Sequence, residues 1–337
     1  MASQGILVVR LGSMGDIVHT LPAVHALRAS FPDARLDWVV ESRWRALVED
    51  NPDISSIVEL DRASWGGIRA CISELRGAGY GAAVDFQGLY KSAVLAFFSG
   101  AKQRIGYDKS IAREGGAARF YNHRVVPSAG SAAHIIDQHM ALATAAGARE
   151  TDRAFPLCVA PEAEEQVTRI LAEKKLSGFY VISPGGGWAG KLWPAEQYGH
   201  LHRRLAQKHG LRAVVNYGPG ERKLAEAIRL VAHDPEPVLL SLEIPQLLAV
   251  VKRARLVVAA DSGPLHLGCA MGVPVVGLYG PTDPARNGPF GAGDLVVRNA
   301  RAEETTYKRS AMPAPSMLSI TVDQVMAAVE KRLGLPG

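Results

Sequence analysis

The sequence predicts an α/β protein built as two parallel-sheet domains, and three observations carry that expectation. The chain has 337 residues, long for a single domain of roughly 100–200 residues. Short apolar runs alternate with longer helix-like patterns, as in βα units whose strands are covered on both faces. The alternation stops at a proline-containing stretch, 147–161, and then restarts.

In the first half the strand candidates are 6–11, 36–40, 56–60 and 82–86, and helices are expected between them at 17–30, 43–49, 66–76 and 88–98. Residues 102–127 lose the rhythm and are expected to be mostly loop. A helix at 131–146 follows, and 147–161, with Pro156 and Pro161, is the linker candidate. In the second half strands are expected at 179–183, 213–216, 238–241, 256–260 and 273–279, with helices from about Ala195, Glu221, Ile244 and Pro264. The tail carries Val322, Val325, Met326, Val329 and Leu333, an apolar stripe at helical spacing. Domains are therefore expected at 1–155 and 156–337, with the closing helix a candidate to pack back on the first domain and the two sheets facing a central cleft.

Composition narrows the class. Apolar residues are 47%, charged residues 21% and aromatics 7%, enough to build cores and to exclude wholesale disorder, a collagen repeat or a coiled coil. Cys71, Cys158 and Cys269 lie far apart and form no CxxC pair, which argues against a disulfide framework or a structural zinc site. The net charge of +5, from 38 basic against 33 acidic residues, is too mild for a dedicated nucleic-acid binder. No apolar run approaches the roughly 18 residues of a membrane span, and Met1-Ala2-Ser3-Gln4-Gly5 lacks the basic start and cleavage site of a signal peptide. A cytoplasmic enzyme is expected, with no signal for oligomeric state.

In open α/β sheets ligands bind beyond the carboxyl ends of strands, so the residues directly after each strand matter most. The first strand empties into Gly12-Ser13-Met14-Gly15-Asp16. Its glycines permit a tight turn and its free amides favour anions, but only GxxG is present, not the dinucleotide GxGxxG. Asp16 reads either as a helix cap or as a general base. Gly185-Gly186-Gly187-Trp188-Ala189-Gly190-Lys191 fits GxxxxGK, yet Leu192 replaces the magnesium-holding hydroxyl of a P-loop and Pro194 delays the next helix. The glycine amides and Lys191 still suit a diphosphate; the alternative is a solvated surface loop.

A further strand ends in Asp261-Ser262-Gly263-Pro264-Leu265-His266, a capped helix start with a proline in its first turn and amides suited to an anion. His266, one turn in, reads as a ligand contact or as a structural histidine. Tyr-Gly-Pro occurs at 217–219 and 279–281, both at predicted strand ends. Glu221 after the first of these reads as a ribose partner or an exposed helix-start acid. Lys91, Lys102, Arg104, Lys109, Arg113, Arg119 and Arg124 face only Asp108 and Glu114 in the same stretch, either a site for a phosphate or carboxylate or a solvated charge run. His134 and His139 do not have the i, i+4 spacing of a zinc helix, so no metal site is proposed.

Taken together, Gly12-Ser13-Met14-Gly15-Asp16-Ile17-Val18-His19-Thr20-Leu21-Pro22-Ala23, Asp37-Trp38-Val39-Val40-Glu41, Asp85-Phe86-Gln87-Gly88-Leu89-Tyr90-Lys91-Ser92-Ala93, Lys191-Leu192-Trp193-Pro194, the 261–266 segment and Tyr279-Gly280-Pro281-Thr282-Asp283-Pro284 resemble glycosyltransferase family 9 in order and spacing over nearly the whole chain. The resemblance implies a GT-B fold of two Rossmann-like domains, the first binding the acceptor and the second the nucleotide sugar. It implies an inverting transfer of L-glycero-D-manno-heptose from ADP-heptose to the first Kdo of Kdo2-lipid A, without metal or cofactor, at the cytoplasmic face of the inner membrane. By motif position Asp16 matches the catalytic base, Lys191 the diphosphate lysine, Asp261, Ser262, Gly263 and His266 the donor segment, and Glu221 a ribose-binding glutamate. Gly185, Gly186 and Gly187 would add donor amides, where the family's pattern has hydroxyl residues, and Ser262 stands where threonine is common. Gly15, Lys91, Arg113, Arg119 and Arg124 become acceptor candidates for Kdo carboxylates and lipid A phosphates. A family 9 enzyme adding a later heptose, a sugar-nucleotide epimerase on the same fold and a non-catalytic nucleotide-binding module are the rivals.

Overall fold

A computed structural model describes residues 5–336, so residues 1–4, on which the signal-peptide reading rests, lie outside the described residues. The chain forms two compact units, divided between Cys158 and Val159. The first unit runs β1 (Ile6–Val9), α1 (Met14–Ser30), β2 (Leu36–Glu41), a 3₁₀ turn (Ser42–Leu47), β3 (Ser56–Leu60), α2 (Trp65–Gly77), β4 (Ala82–Asp85), α3 (Tyr90–Phe98), β5 (Gln103–Tyr107), a 3₁₀ turn (Gly115–Phe120), β6 (His123–Val125) and α4 (Ile135–Ala145). The second runs α5 (Pro161–Glu173), β7 (Phe179–Ser183), α6 (Ala195–His209), β8 (Arg212–Asn216), α7 (Arg222–Ala232), β9 (Val238–Leu240), α8 (Ile244–Arg253), β10 (Val257–Ala260), α9 (Gly263–Ala270), β11 (Val275–Tyr279), α10 (Pro284–Asn287), β12 (Leu295–Arg298), α11 (Pro315–Leu318) and α12 (Val322–Leu333).

Each unit holds a six-stranded sheet, ordered β3-β2-β1-β4-β5-β6 in the first and β12-β11-β10-β7-β8-β9 in the second. All the pairings are parallel. Numbered from its own first strand, the second sheet has the same order as the first. Both start at the centre, wind to one edge, return, and wind to the other. The reversal falls between β1 and β4 in one sheet and between β7 and β10 in the other, which is where a doubly wound sheet opens a crevice for ligand.

The central strands are apolar because helices cover both faces: β1, β4, β7, β10 and β11 are buried throughout. Each fully buried aliphatic side chain contributes about 1.5–3 kcal/mol. α1 is buried nearly all round and runs through Pro22, whose missing N–H and ring usually cost about 3 kcal/mol in a helix interior. Burial of Ile17, Val18, Leu21, Val24 and Leu27 offsets that cost.

The expectation of mostly loop over 102–127 misses two strands: β5 and β6 extend the first sheet there, separated by irregular chain and a 3₁₀ turn. β5 reads Gln-Arg-Ile-Gly-Tyr, with Gly106 where a side chain would be expected, because a Cβ there would lie 2.5 Å from the Tyr121 ring. β6 is a short, charged edge strand, a common way of discouraging edge-to-edge pairing and a weak signal in a sequence. The sequence reading also lacks the edge strand β12, Leu-Val-Val-Arg, which is mostly apolar but only partly buried. The stretch 147–160 is irregular, and Pro161 opens α5 at its first position. The closing helix α12 places Val325, Met326 and Val329 in the second unit's core with Tyr198, Leu201 and Leu205 of α6.

His202 of α6 is fully buried in that core. Its Nε2 donates to the Pro235 carbonyl at 3.1 Å, so Nδ1, 3.1 Å from the Tyr180 hydroxyl, is left to accept. Both ring nitrogens are satisfied in the neutral form. Burial therefore pushes the His202 pKa down from 6.5 to about 4. Above pH 6.5 neither state is protonated and the contribution is fully present; as pH falls through about 4 the unfolded chain has gained a proton that the folded one resists. The second unit should lose up to about 3 kcal/mol over that window, and His202→Gln should flatten the loss when denaturant melts are repeated at each pH.

Candidate active site

In the first unit the loops after β1 and β4 are stitched together. The Leu11 amide donates to Gln87 Oε1 at 2.9 Å, and the Arg10 guanidinium donates to the Phe86 carbonyl at 2.5 Å. Asp85, at the end of β4, accepts from the Gln87 amide at 2.8 Å and the Tyr121 hydroxyl at 2.7 Å. Its burial pushes its pKa up despite those bonds.

Asp16 lies in the first turn of α1. Its Oδ2 accepts from the Ser13 amide and hydroxyl, both at 3.0 Å, while its Oδ1 lies 2.7 Å from Arg10 Nη2. The capping reading and the site reading therefore describe one residue. Burial works to raise its pKa, but Arg10, the two Ser13 bonds and the charge of Arg113 outweigh it and hold the carboxyl below the usual aspartate value. A carboxylate offers about four lone-pair positions and three are used, so one remains for a substrate hydroxyl. The side chain is 34% exposed, which keeps that position accessible. Gly15 is buried beside it. A Cβ on Gly12 would lie 2.5 Å from Trp44 Nε1, so the turn admits glycine there for lack of room.

Of the acceptor candidates, Arg113 is exposed and acts on Asp16 through its charge. Lys91 belongs to a different cluster: with Arg62 at 2.7 Å and Arg43 at 3.0 Å, it surrounds the buried Glu41 carboxylate, Lys91 Nζ itself at 3.0 Å. Arg119 and Arg124 are exposed, and Arg124 Nε donates to the Ala118 carbonyl at 2.9 Å. The structure thus brings Gly15, Asp16 and Arg113 to one place and distributes Lys91, Arg119 and Arg124 elsewhere on the unit.

The second unit's switch point centres on Asp261, directly after β10 and 4% exposed. Lys191 Nζ stands 2.5 Å from its Oδ2 and also donates to its carbonyl at 3.2 Å. On the other oxygen, Asn287 Nδ2 donates at 2.9 Å and His266 Nε2 lies at 3.3 Å. Burial would raise the Asp261 pKa, yet His266 and Lys191 reverse it and drive it far below the usual range. The expected donor segment is therefore divided: Asp261 and His266 turn to each other, and Asp261 acts by holding Lys191. Two of three ammonium protons are taken, leaving one for an incoming oxygen.

Around this hub, Lys191 ends a 3₁₀ turn (Ala189–Lys191) rather than starting a helix, which separates it from P-loop geometry. Gly185 lies against Glu221, whose Oε1 would be 1.9 Å from a Cβ there, so a side chain at 185 would push that carboxylate aside. Glu221 also accepts from the Gly218 amide at 2.8 Å. A Cβ on Gly187 would meet nothing within 4 Å, so that glycine is not demanded by packing. Ser262 caps α9 by backbone geometry alone, and its buried hydroxyl has no hydrogen-bond partner among the described residues. With the Gly263 amide beside it, this helix start suits an anion.

Sequence reasoning missed Arg10, Glu41 and Asn287. Arg10 had a visible signal, a charged residue closing the apolar run Ile6-Leu7-Val8-Val9. Asn287 lies in a four-residue helix past the second Tyr-Gly-Pro turn and had none.

The sequence matches glycosyltransferase family 9 (heptosyltransferase) over residues 68–314, most of its length. The chain belongs to that family. This glycosyltransferase is 26% identical to the lipopolysaccharide core heptosyltransferase of Haemophilus influenzae, across 99% of this chain and 98% of the relative. It is 29% identical to lipopolysaccharide heptosyltransferase 1 of Pseudomonas aeruginosa, across 86% and 82%. Among solved structures, a family 9 glycosyltransferase of Veillonella parvula superimposes with a TM-score of 0.83 at 22% identity, covering 99% of this chain and 98% of that one, and shows the shared fold. The Escherichia coli heptosyltransferase WaaC, solved with ADP-2-deoxy-2-fluoro heptose, gives 0.75 at 25% identity, with 97% and 99% covered. The neighbours are GT-B enzymes, and this family 9 glycosyltransferase has their two-domain α/β fold. Among its described residues no helix is long and apolar enough to cross a membrane.

The Asp261 hub makes a direct prediction. Lys191→Met leaves a buried carboxylate short of its main cation and should destabilise the second unit by about 3 kcal/mol. Adding Asp261→Asn should recover about 1 kcal/mol or more, read as non-additivity in a double-mutant cycle of denaturant melts. Strictly additive losses would show that the pair is not coupled.

Proposed function

We propose that this enzyme transfers L-glycero-D-manno-heptose from ADP-heptose to the first Kdo of Kdo2-lipid A, inverting the anomeric centre without a bound metal. The first unit takes the acceptor and the second the nucleotide sugar. The observation that carries the reading is the pairing of near-full-length likeness to lipopolysaccharide heptosyltransferases with opposite chemistry at two matching switch points: an accessible carboxylate on one sheet, a lysine with unfilled donors on the other.

The acceptor hydroxyl loses its proton to Asp16 as its oxygen attacks the anomeric carbon and ADP departs. A carboxylate with a lowered pKa is a weak base, so it works by accepting the proton as the new bond forms and the hydroxyl becomes acidic. The leaving diphosphate gains charge, which Lys191, the amides at Gly185 to Gly187 and the α9 start at Ser262 and Gly263 neutralise. Glu221 is assigned to the ribose hydroxyls. Next to Asp16, Arg113 takes the acidic groups of the acceptor; Lys91, Arg119 and Arg124 offer further cations elsewhere on the same unit, and the enzyme works as a peripheral visitor to the inner membrane's cytoplasmic face.

Incubation of ADP-heptose with Kdo2-lipid A, with and without chelator, should give the same heptosylated product at the same rate; a chelator-sensitive rate would remove the metal-free mechanism, and product only on an already heptosylated acceptor would shift the assignment to a later heptose. Asp16→Asn should keep ADP affinity and lose about 10²–10⁴ in rate. Lys191→Ala should weaken donor binding and slow transfer together, on the order of 3 kcal/mol.

A further inference from the structure

We infer that Arg10 is a positioning residue for the transfer reaction: its guanidinium spans the two loops of the first switch point and fixes the Asp16 carboxylate, ionised, with one oxygen position turned outward. The inference rests on the reading of Asp16 as the base and adds a residue that no part of that reading requires.

The geometry is specific to arginine. Nη1 donates to the Phe86 carbonyl at 2.5 Å, anchoring the group to the β4 loop, while Nη2 lies 2.7 Å from Asp16 Oδ1. Arg10 is only 4% exposed, so this charge is not a solvated surface cation and is screened little by salt. Its own backbone is held as well, because the Arg10 carbonyl accepts from the indole of Trp38 at 2.9 Å. A lysine offers its three donors from a single nitrogen on a flexible stem, and so lacks the two separate, rigidly spaced donor nitrogens that the guanidinium places on the two acceptors.

The other charges around α1 are committed elsewhere. Arg113 is the one further cation whose charge lowers the Asp16 pKa among the leading causes. From the 3₁₀ turn packed on α1, Arg43 pairs with Glu41, and Arg45 pairs with Glu49 and Glu59. From α4, Asp137 pairs with Arg153, His139 Nδ1 lies 2.9 Å from the His19 carbonyl, and His134 accepts from the Ile136 amide. Arg10 is therefore the one cation paired directly with Asp16 among the described residues, and it holds Oδ1 while Ser13 holds Oδ2.

The test is the pH profile of kcat for the full-length enzyme, with donor KM and thermal melting measured on the same preparations. The wild type should keep its rate down to about pH 5, because Asp16 stays ionised. Arg10→Met should lose about 10–100-fold in kcat at neutral pH and bring an acid limb into the measurable range, displaced upward by about 1–3 pH units. Its donor KM should be unchanged, since the donor is assigned to the other unit. Arg10→Lys should retain the low acid limb but lose part of kcat, because the rigid two-nitrogen bridge between Phe86 and Asp16 goes. Wild-type kcat and profile in Arg10→Met overturn the inference, as does a loss of rate with no displaced limb. If Arg10→Met does not fold, Arg10→Lys decides: full kcat overturns the anchoring role. An active Asp16→Asn would instead sink the base assignment itself, so the two failures are distinguishable.

Discussion

A carboxylate removed from water has to be surrounded by donors, and in the second unit that requirement organises everything near the ligand edge. Asp261 is committed to Lys191, Asn287 and His266 at once. Each of those groups comes from a different loop, after β7, after β11 and within α9, so one buried charge ties together three segments that the chain delivers separately. The ammonium it holds is pre-aimed, and no lysine rotamer has to be frozen when an anion arrives. That saving, not the charge alone, is what a preorganised electrostatic site offers over a surface lysine.

The first unit solves a mirror-image problem with the same topology. Its switch point carries a carboxylate held by a buried guanidinium and by the start of a helix, and its spare valence accepts instead of donating. Two copies of one strand order thus present opposite chemistry at equivalent positions. The difference lies in a handful of residues directly after the central strands: Arg10, Ser13 and Asp16 in one sheet, Lys191, Asp261 and Ser262 in the other.

The sheet centres were legible in the sequence because buried parallel strands are continuous apolar runs. The edges were not: β5 has a glycine facing Tyr121, and β6 and β12 are short and partly polar. Among site residues, Asp16, Lys191 and Asp261 could be found because they follow strands in glycine-rich turns. Their mutual arrangement could not. Spacing put His266 on a ligand-facing side of its helix, whereas the strong field of Asp261 captures its imidazole. It put Lys91 in a basic stretch with Arg113, whereas Glu41, fifty positions away, holds it. Charge pairing over such distances in sequence leaves no local pattern to read.

The contact between Gly185 and Glu221 has an evolutionary consequence. The carboxylate occupies the volume that a side chain at 185 would take, so a residue gained there would turn the flexible Glu221 side chain aside. A lineage that gained a hydroxyl at 185 would swing the Glu221 carboxylate away from the Gly218 amide that it now accepts from. Libraries that vary either position should therefore randomise both codons together, because the substituent at 185 sets where the carboxylate at 221 can point.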